Sequence, residues 1–291
     1  MQIFDGISFA RAREIELATQ VRQFAIAAGR QPLIVSFVPV EDSGSQLYTQ
    51  KKLEAAERVG IEFRPLPFSM QDDLETLIPA IQTHNSDQDV TGIMIQKPAK
   101  KNWVGQGRAE NFHAWWQQLV QVITPTKDVD GLTPAVQRAI EQGDWEKLHY
   151  VLPATAKAIL LVLEQASVQK NQKIAIIGRS DIVGKPTHFV LHSRGFQSEL
   201  LGRAELDARM QDGRNLFDFD VIVSATGTEN LITGDLLKDG VTLIDVGEPR
   251  PDVNRQSVEA KAIFLSPVPG GVGPITVVSL LENALELFSR Q

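Results

Sequence analysis

The sequence predicts an α/β protein built on parallel sheets, with a Rossmann-like C-terminal half. Three observations predict it. Short apolar runs rich in β-branched residues alternate with longer helical segments along most of the 291 residues, the rhythm of parallel βαβ units. One such run, Lys173-Ile-Ala-Ile-Ile177, enters the glycine turn Gly178-Arg-Ser-Asp-Ile-Val-Gly-Lys-Pro186 and restarts with helical character at Ile182. A strand, a tight turn and a helix N-terminus gather unpaired N–H groups and the positive end of a helix dipole, which suits a phosphate. The turn departs from G-x-G-x-x-G, because Ser180 stands at the second glycine and Gly184 is displaced by one. The third observation is Pro267-Val-Pro-Gly-Gly-Val-Gly-Pro274, whose density of glycine and proline excludes ordinary helix or central strand and permits a cis X-Pro bond.

Taken in order, Ser8 to Ala28 has helical periodicity stopped by Gly29, and residues 32–40 form a buried strand. Ser45 is the expected N-cap of the next helix, which runs to Val59 and Gly60. Residues 61–68 form a second strand cut by Pro65 and Pro67, Asp72 to His84 a helix, and 91–96 a third strand. The polar segment from Ala99 to Ile123, carrying Trp103, Trp115 and Trp116, reads as a loop followed by a helix. Helical stretches lead towards Leu148, and Pro153 opens a helix through Leu163. Five strands follow at 173–177, 196–201, 220–225, 242–246 and 262–265, with a last helix from Ile275 to Phe288.

Bulk properties exclude several classes. A net charge of −7, from 29 basic and 36 acidic residues, offers no surface for nucleic acid or an anionic membrane. The absence of cysteine rules out disulfides, thiol catalysis and thiolate metal sites. No basic-then-apolar leader opens the chain and no apolar run reaches membrane length, so the expectation is a cytoplasmic protein.

Among residues able to carry chemistry, Tyr48 and Lys52 share one helix face at i,i+4 spacing. A lysine there exchanges protons near neutrality if burial lowers its pKa. The bland alternative is a solvated lysine beside a half-buried tyrosine. The Y-x-x-x-K spacing also occurs in short-chain dehydrogenases, but there it follows the nucleotide-binding turn, and here it precedes it. Gln96 ends a strand where a parallel sheet presents ligands, either to bond a substrate or simply to close the strand. Asp128 and Asp130 alternate before Gly131 in a turn, with no histidine spacing to build a metal site; His188 and His192 read as packing.

Together, Ser45 to Gly60, Gly92-Ile-Met-Ile-Gln96, Lys127-Asp-Val-Asp-Gly131, Gly178 to Pro186, Ile244-Asp-Val-Gly247 and Pro267 to Pro274 resemble the bifunctional methylenetetrahydrofolate dehydrogenase/methenyltetrahydrofolate cyclohydrolase (FolD-type) family, over nearly the whole chain. The resemblance implies two lobes around a cleft: a folate-binding catalytic lobe over 1–140, completed by helix 275–291, and a Rossmann-like NADP-binding lobe over 141–274. It implies NADP as cofactor, a folate substrate, one-carbon metabolism feeding purine biosynthesis, and a homodimer. By the same resemblance Lys52 is the catalytic lysine, Tyr48 stacks on the folate, Gln96 tunes the lysine and Asp130 anchors the pterin. Gly271 and Pro274 line the substrate site, while Gly178, Arg179, Ser180, Thr226 and Gly227 hold the cofactor.

Three stretches depart from the family pattern. Lys97-Pro-Ala-Lys100 replaces Leu-Pro-Leu-Pro. Pro153-Ala-Thr-Ala156, with Ala158, replaces Pro-Cys-Thr-Pro and its glycine. Gly202-Arg203 replaces His-Ser; no acidic residue ends that strand, so Arg203 is expected to pair with a 2′-phosphate and favour NADP. The departures keep two rival readings open: a nicotinamide-dependent dehydrogenase without cyclohydrolase activity or with a non-folate substrate, and a non-catalytic binding protein using the Trp-bearing insertion as its contact surface.

Overall fold

A computed structural model describes residues 1–107 and 111–291; part of the expected loop in the Trp-bearing segment, residues 108–110, lies outside the described residues. In chain order the elements are β1 (Gln2–Ile3), α1 (Gly6–Ala28), β2 (Leu33–Pro39), α2 (Ser43–Val59), β3 (Glu62–Phe68), α3 (Leu74–Ser86) and β4 (Gly92–Ile95). They continue with α4 (Lys100–Val104), α5 (Phe112–Val120), α6 (Pro134–Gln142), α7 (Ala154–Gln165), β5 (Lys173–Ile177), α8 (Gly184–Ser193) and β6 (Gln197–Leu201). The last are α9 (Arg203–Gln211), β7 (Val221–Ser224), β8 (Val241–Asp245), α10 (Arg255–Val258), β9 (Ala262–Ser266) and α11 (Val272–Phe288). The chain divides into two compact units, Met1–Arg11 with Pro153–Ser279, and Ala12–Leu152 with Leu280–Gln291.

The second of these holds a three-stranded parallel sheet in the order β3-β2-β4. β2 is buried along its whole length, as a central parallel strand must be, and its Leu-Ile-Val run supplies the apolar side chains. β3 is continuous through Pro65 and Pro67, contrary to the expected cut. It is an edge strand, and prolines two apart turn the same side of the backbone to the open edge, where no ladder donor is missed. The helix after β2 is capped by Asp42, not Ser45: the Asp42 carboxylate accepts the Ser45 N–H at 2.9 Å. The Trp-bearing segment forms two helices, α4 and α5, and Trp103, Trp115 and Trp116 are buried in one core with Phe37, Ile93 and Ile95. A polar run with three tryptophans is therefore amphipathic core cover, and its aromatic face is not a contact surface.

The other unit holds a six-stranded parallel sheet in the order β1-β9-β8-β7-β5-β6. The five expected strands are present within a residue or two of their expected ends. β1, too short to leave a periodic signal, adds a sixth by pairing Gln2 with Phe264 and Ile3 with Leu265. From β5 the chain crosses to β6 on one side and returns to β7 on the other, so the order reverses between β5 and β7. That reversal is where an open α/β sheet binds ligands. In both units an apolar core packs against the parallel strands, aromatic-rich in the three-stranded unit and largely aliphatic in the six-stranded one. No helix among the described residues is long and apolar enough to cross a membrane.

Candidate functional site

In the three-stranded unit the strand order also reverses, between β2 and β4, and the functional side chains cluster at that edge. Gln96 directly follows β4, tied to the sheet by its N–H bond to the Phe37 carbonyl at 2.8 Å. Lys52 projects from α2 and is buried, with only 7% of its surface exposed. Its Nζ donates to Gln96 Oε1 at 3.3 Å. Burial lowers the lysine's pKa from the usual 10.5, and the negative charge of Asp130 pulls part of the way back. Gln96 Nε2 is buried and has no hydrogen-bond partner among the described residues, a donor left available to a bound group. Tyr48, one turn before Lys52 on α2, is half-buried, with Lys51 Nζ 5.3 Å from its ring centroid.

The Lys127–Gly131 stretch is held from several sides. Lys127 Nζ donates to the carbonyls of His84 and Asp87, satisfying the C-terminal end of α3. Asp128 is 1% exposed and accepts the Thr133 N–H at 2.6 Å; burial pushes its carboxyl up to about 6, against the pull of the Thr133 and Leu132 N–H groups. Asn283, on α11, donates to the carbonyls of Val129 at 3.1 Å and Leu152 at 2.8 Å. Asp130 is thereby presented on a fixed backbone, half-buried, with its charge felt by Lys52. Sequence reasoning missed Asn283 and Asp42. Besides capping α2, Asp42 accepts the Ala99 N–H at 2.6 Å, so it ties the helix bearing Lys52 to the altered segment after Gln96. Asn283 leaves no local signal, because its partners lie 131 and 154 residues away, and at Asp42 only the cap is local while the bond to Ala99 spans 57 residues.

In the six-stranded unit, β5 runs into Gly178 at φ 118°, a backbone state that glycine alone adopts freely. A Cβ there would meet the Ala225 carbonyl at 2.5 Å, so the turns after β5 and β7 lie against one another. Ser180 Oγ accepts from Val183 N at 3.2 Å and Gly184 N at 3.4 Å, closing a turn that delays the helix from the expected Ile182 to Gly184. A side chain at Gly184 would overlap the Gly178 carbonyl, so this displaced glycine performs the close strand–helix packing of the usual third glycine. Thr226 donates its N–H at 2.7 Å and its hydroxyl at 2.9 Å to Asp252, which also accepts from Ser224 Oγ at 2.7 Å; Gly227 follows at φ 68°. The cradle is backbone-lined and fits the phosphates of a dinucleotide. Gly271 and Pro274 belong to this unit, at the turn into α11, which begins at Val272 and not Ile275, with Val268–Pro269 cis.

Two observations bear on the expectation at the end of β6. Arg203 is not a free guanidinium, because its Nε pairs with Asp207 at 3.0 Å one turn along α9. An acidic group does stand at that strand end: Glu205 Oε2 accepts the Gly202 N–H at 3.0 Å and Oε1 pairs with Arg179 at 2.8 Å.

Comparison with known proteins matches both halves of the chain to one family. The family model described as tetrahydrofolate dehydrogenase/cyclohydrolase, catalytic domain, matches residues 4–130, and that described as tetrahydrofolate dehydrogenase/cyclohydrolase, NAD(P)-binding domain, matches residues 153–291. Bifunctional protein FolD of Mesoplasma florum is 32% identical over 303 residues, covering 100% of this chain and 98% of that protein. The crystal structure of FolD methylenetetrahydrofolate dehydrogenase/cyclohydrolase from Campylobacter jejuni matches at TM-score 0.86 and 27% identity, covering 100% of this chain and 99% of that one. The Trypanosoma brucei methylenetetrahydrofolate dehydrogenase-cyclohydrolase, complexed with NADP cofactor and inhibitor, matches at TM-score 0.84 and 26% identity, covering 99% and 97%.

Proposed function

The chain belongs to the tetrahydrofolate dehydrogenase/cyclohydrolase family, and on that premise we propose that it oxidises 5,10-methylenetetrahydrofolate with NADP and hydrolyses the product to 10-formyltetrahydrofolate. The observation that carries the reading is the buried Lys52 amine, 3.3 Å from Gln96 Oε1 at the ligand edge of a parallel sheet. Gly178, Arg179, Ser180, Thr226 and Gly227 hold the dinucleotide, with the Ser180 turn and the N-terminus of α8 facing its phosphates. When bound, NADP supplies the hydride acceptor. Oxidation of the methylene needs no protein acid or base, since the folate's own nitrogen pushes electrons in as hydride leaves; the chain's part is to hold the substrate in position.

Hydrolysis is where the side chains act. Water adds to the methenyl carbon and gives up a proton to the neutral form of Lys52, the form that burial favours. The resulting ammonium protonates N5 as the carbon–N5 bond breaks. The hydroxyl on carbon loses its proton to solvent as the formyl group forms on N10, so one proton is released overall. Gln96 Oε1 holds Nζ in place, Asp130 binds the pterin and steadies the ammonium form, and Tyr48 stacks on the ring. The product is a formyl donor of the kind purine biosynthesis consumes, and the working form is a cytoplasmic homodimer.

The test mixes the protein with NADP⁺ and 5,10-methylenetetrahydrofolate and follows reduced nicotinamide and the methenyl chromophore together. Reduced nicotinamide should rise with little methenyl build-up beyond an enzyme-free control. Accumulating methenyl would leave Lys52 idle and favour a dehydrogenase alone, and no reduction at all would overturn the proposal.

A further inference from the structure

The carboxylate of Glu205 stands where the second strand of a dinucleotide fold meets the ribose, although the sequence places it four residues beyond the strand end and inside α9. It reaches back because the first turn of α9 leaves N–H groups unpaired. Glu205 Oε2 accepts the Gly202 N–H at 3.0 Å, while Oε1 holds Arg179 Nη2 at 2.8 Å. Arg179 in turn comes from the phosphate turn after β5, crosses the end of β6 and donates to the Leu200 carbonyl at 3.4 Å. The two strands are paired through Ile177 and Leu201, so a dinucleotide on the Gly178 turn has its adenosine ribose beside this pair. An acidic group at that point grips a 2′-hydroxyl and repels a 2′-phosphate, whereas an arginine does the reverse.

We propose that Glu205 is a specificity-determining residue that tempers the chain's preference for NADP over NAD by holding Arg179 with its carboxylate. This rests on the dinucleotide reading of the Gly178 turn. The pair is half-exposed, with side chains 51% and 41% accessible, so a 2′-phosphate can displace the carboxylate from the arginine but must do so against its charge. A 2′-hydroxyl leaves the pair intact and gains an acceptor.

Isothermal calorimetry with NADP⁺ and NAD⁺, without folate, tests this on wild type, Glu205→Gln, Arg179→Ala and the double variant. Glutamine retains an acceptor for Gly202 and removes the charge. The expected result is an NADP/NAD affinity ratio raised about tenfold in Glu205→Gln, with a rise of no more than about twofold, from the lost charge alone, when the same substitution is made in Arg179→Ala. Asp207→Asn, which frees the neighbouring Arg203, should move the ratio less than twofold. An unchanged ratio in a Glu205→Gln protein that still binds NAD⁺ overturns the proposal, as does an effect of the same size without Arg179. If Glu205→Gln does not fold, Glu205→Asp serves: its shorter side chain should withdraw from Arg179 and raise the ratio, and an unchanged ratio there also overturns the proposal. Failure of wild type to bind either dinucleotide overturns the underlying cofactor reading as well.

Discussion

Lys52 places a charge-bearing group where solvent does not reach, and the consequence is measurable apart from catalysis. Its folded-state pKa lies below that of an exposed amine, so the protein binds this proton less tightly folded than unfolded, and the cost fades as pH rises towards 10.5. Lys52→Met should therefore unfold at neutral pH at a temperature no lower than wild type. It should also lose methenyl hydrolysis by about 10²–10⁴-fold while keeping dehydrogenase activity. Unchanged hydrolysis would remove Lys52 from the chemistry. Asp128 has the opposite sign. Its carboxyl is raised from 3.8 to about 6, so burying it costs nothing below about pH 4 and destabilises as pH rises through 6. Asp128→Asn should match wild type in urea at pH 4 and exceed it by pH 7, by a gap of order 3 kcal/mol. A gap that stays constant across that range would mean Asp128 is ionised throughout.

At the scale of elements, two contacts set how the site is built. Asp42 caps α2 and holds the Ala99 N–H, so Asp42→Ala should cost about 1–3 kcal/mol in chemical denaturation and weaken folate binding. Loss of stability without loss of binding would limit it to capping. Gly184→Ala forces α8 off the Gly178 carbonyl and should abolish NADP⁺ binding measured by calorimetry, while folate binding persists. Much of this scale was legible in the sequence: the strand runs at 173–177 and 262–265 and the glycine turn stand where their patterns placed them. What stayed hidden depends on distant partners. Pro65 and Pro67 break a central strand but not an edge one, and only the strand order tells which β3 is. Ser45 and Asp42 are both good caps, and the choice followed Ala99, 57 residues away. Glu205 was invisible as a strand-end acid because it acts from the next helix.

At the scale of the whole molecule, each unit has its own reversal of strand order, and the proposed function assigns the cofactor to one and the folate to the other. Hydrogen exchange should separate them. NADP⁺ should slow amides in 178–184 and 225–228, and a folate analogue those in 42–52 and 96–99. Protection in the reverse pattern would exchange the two assignments. Within the six-stranded unit, Asp252 ties Thr226 and Ser224 together from a fully buried position, which keeps the loop after β7 in one conformation before any ligand arrives.

The distribution of tryptophan and tyrosine decides which half of the molecule is visible by optical spectroscopy. All four, Trp103, Trp115, Trp116 and Trp145, lie in the three-stranded unit, and so do both tyrosines, Tyr48 and Tyr150. The six-stranded unit contains neither, so it contributes almost nothing to ultraviolet emission or to near-ultraviolet dichroism above the phenylalanine bands. A melting curve followed by intrinsic fluorescence therefore reports one unit and is silent on the other. Trp116, with Lys97 Nζ 5.3 Å from its ring, sits one residue from Gln96 along the chain of contacts, a built-in reporter for events at that edge.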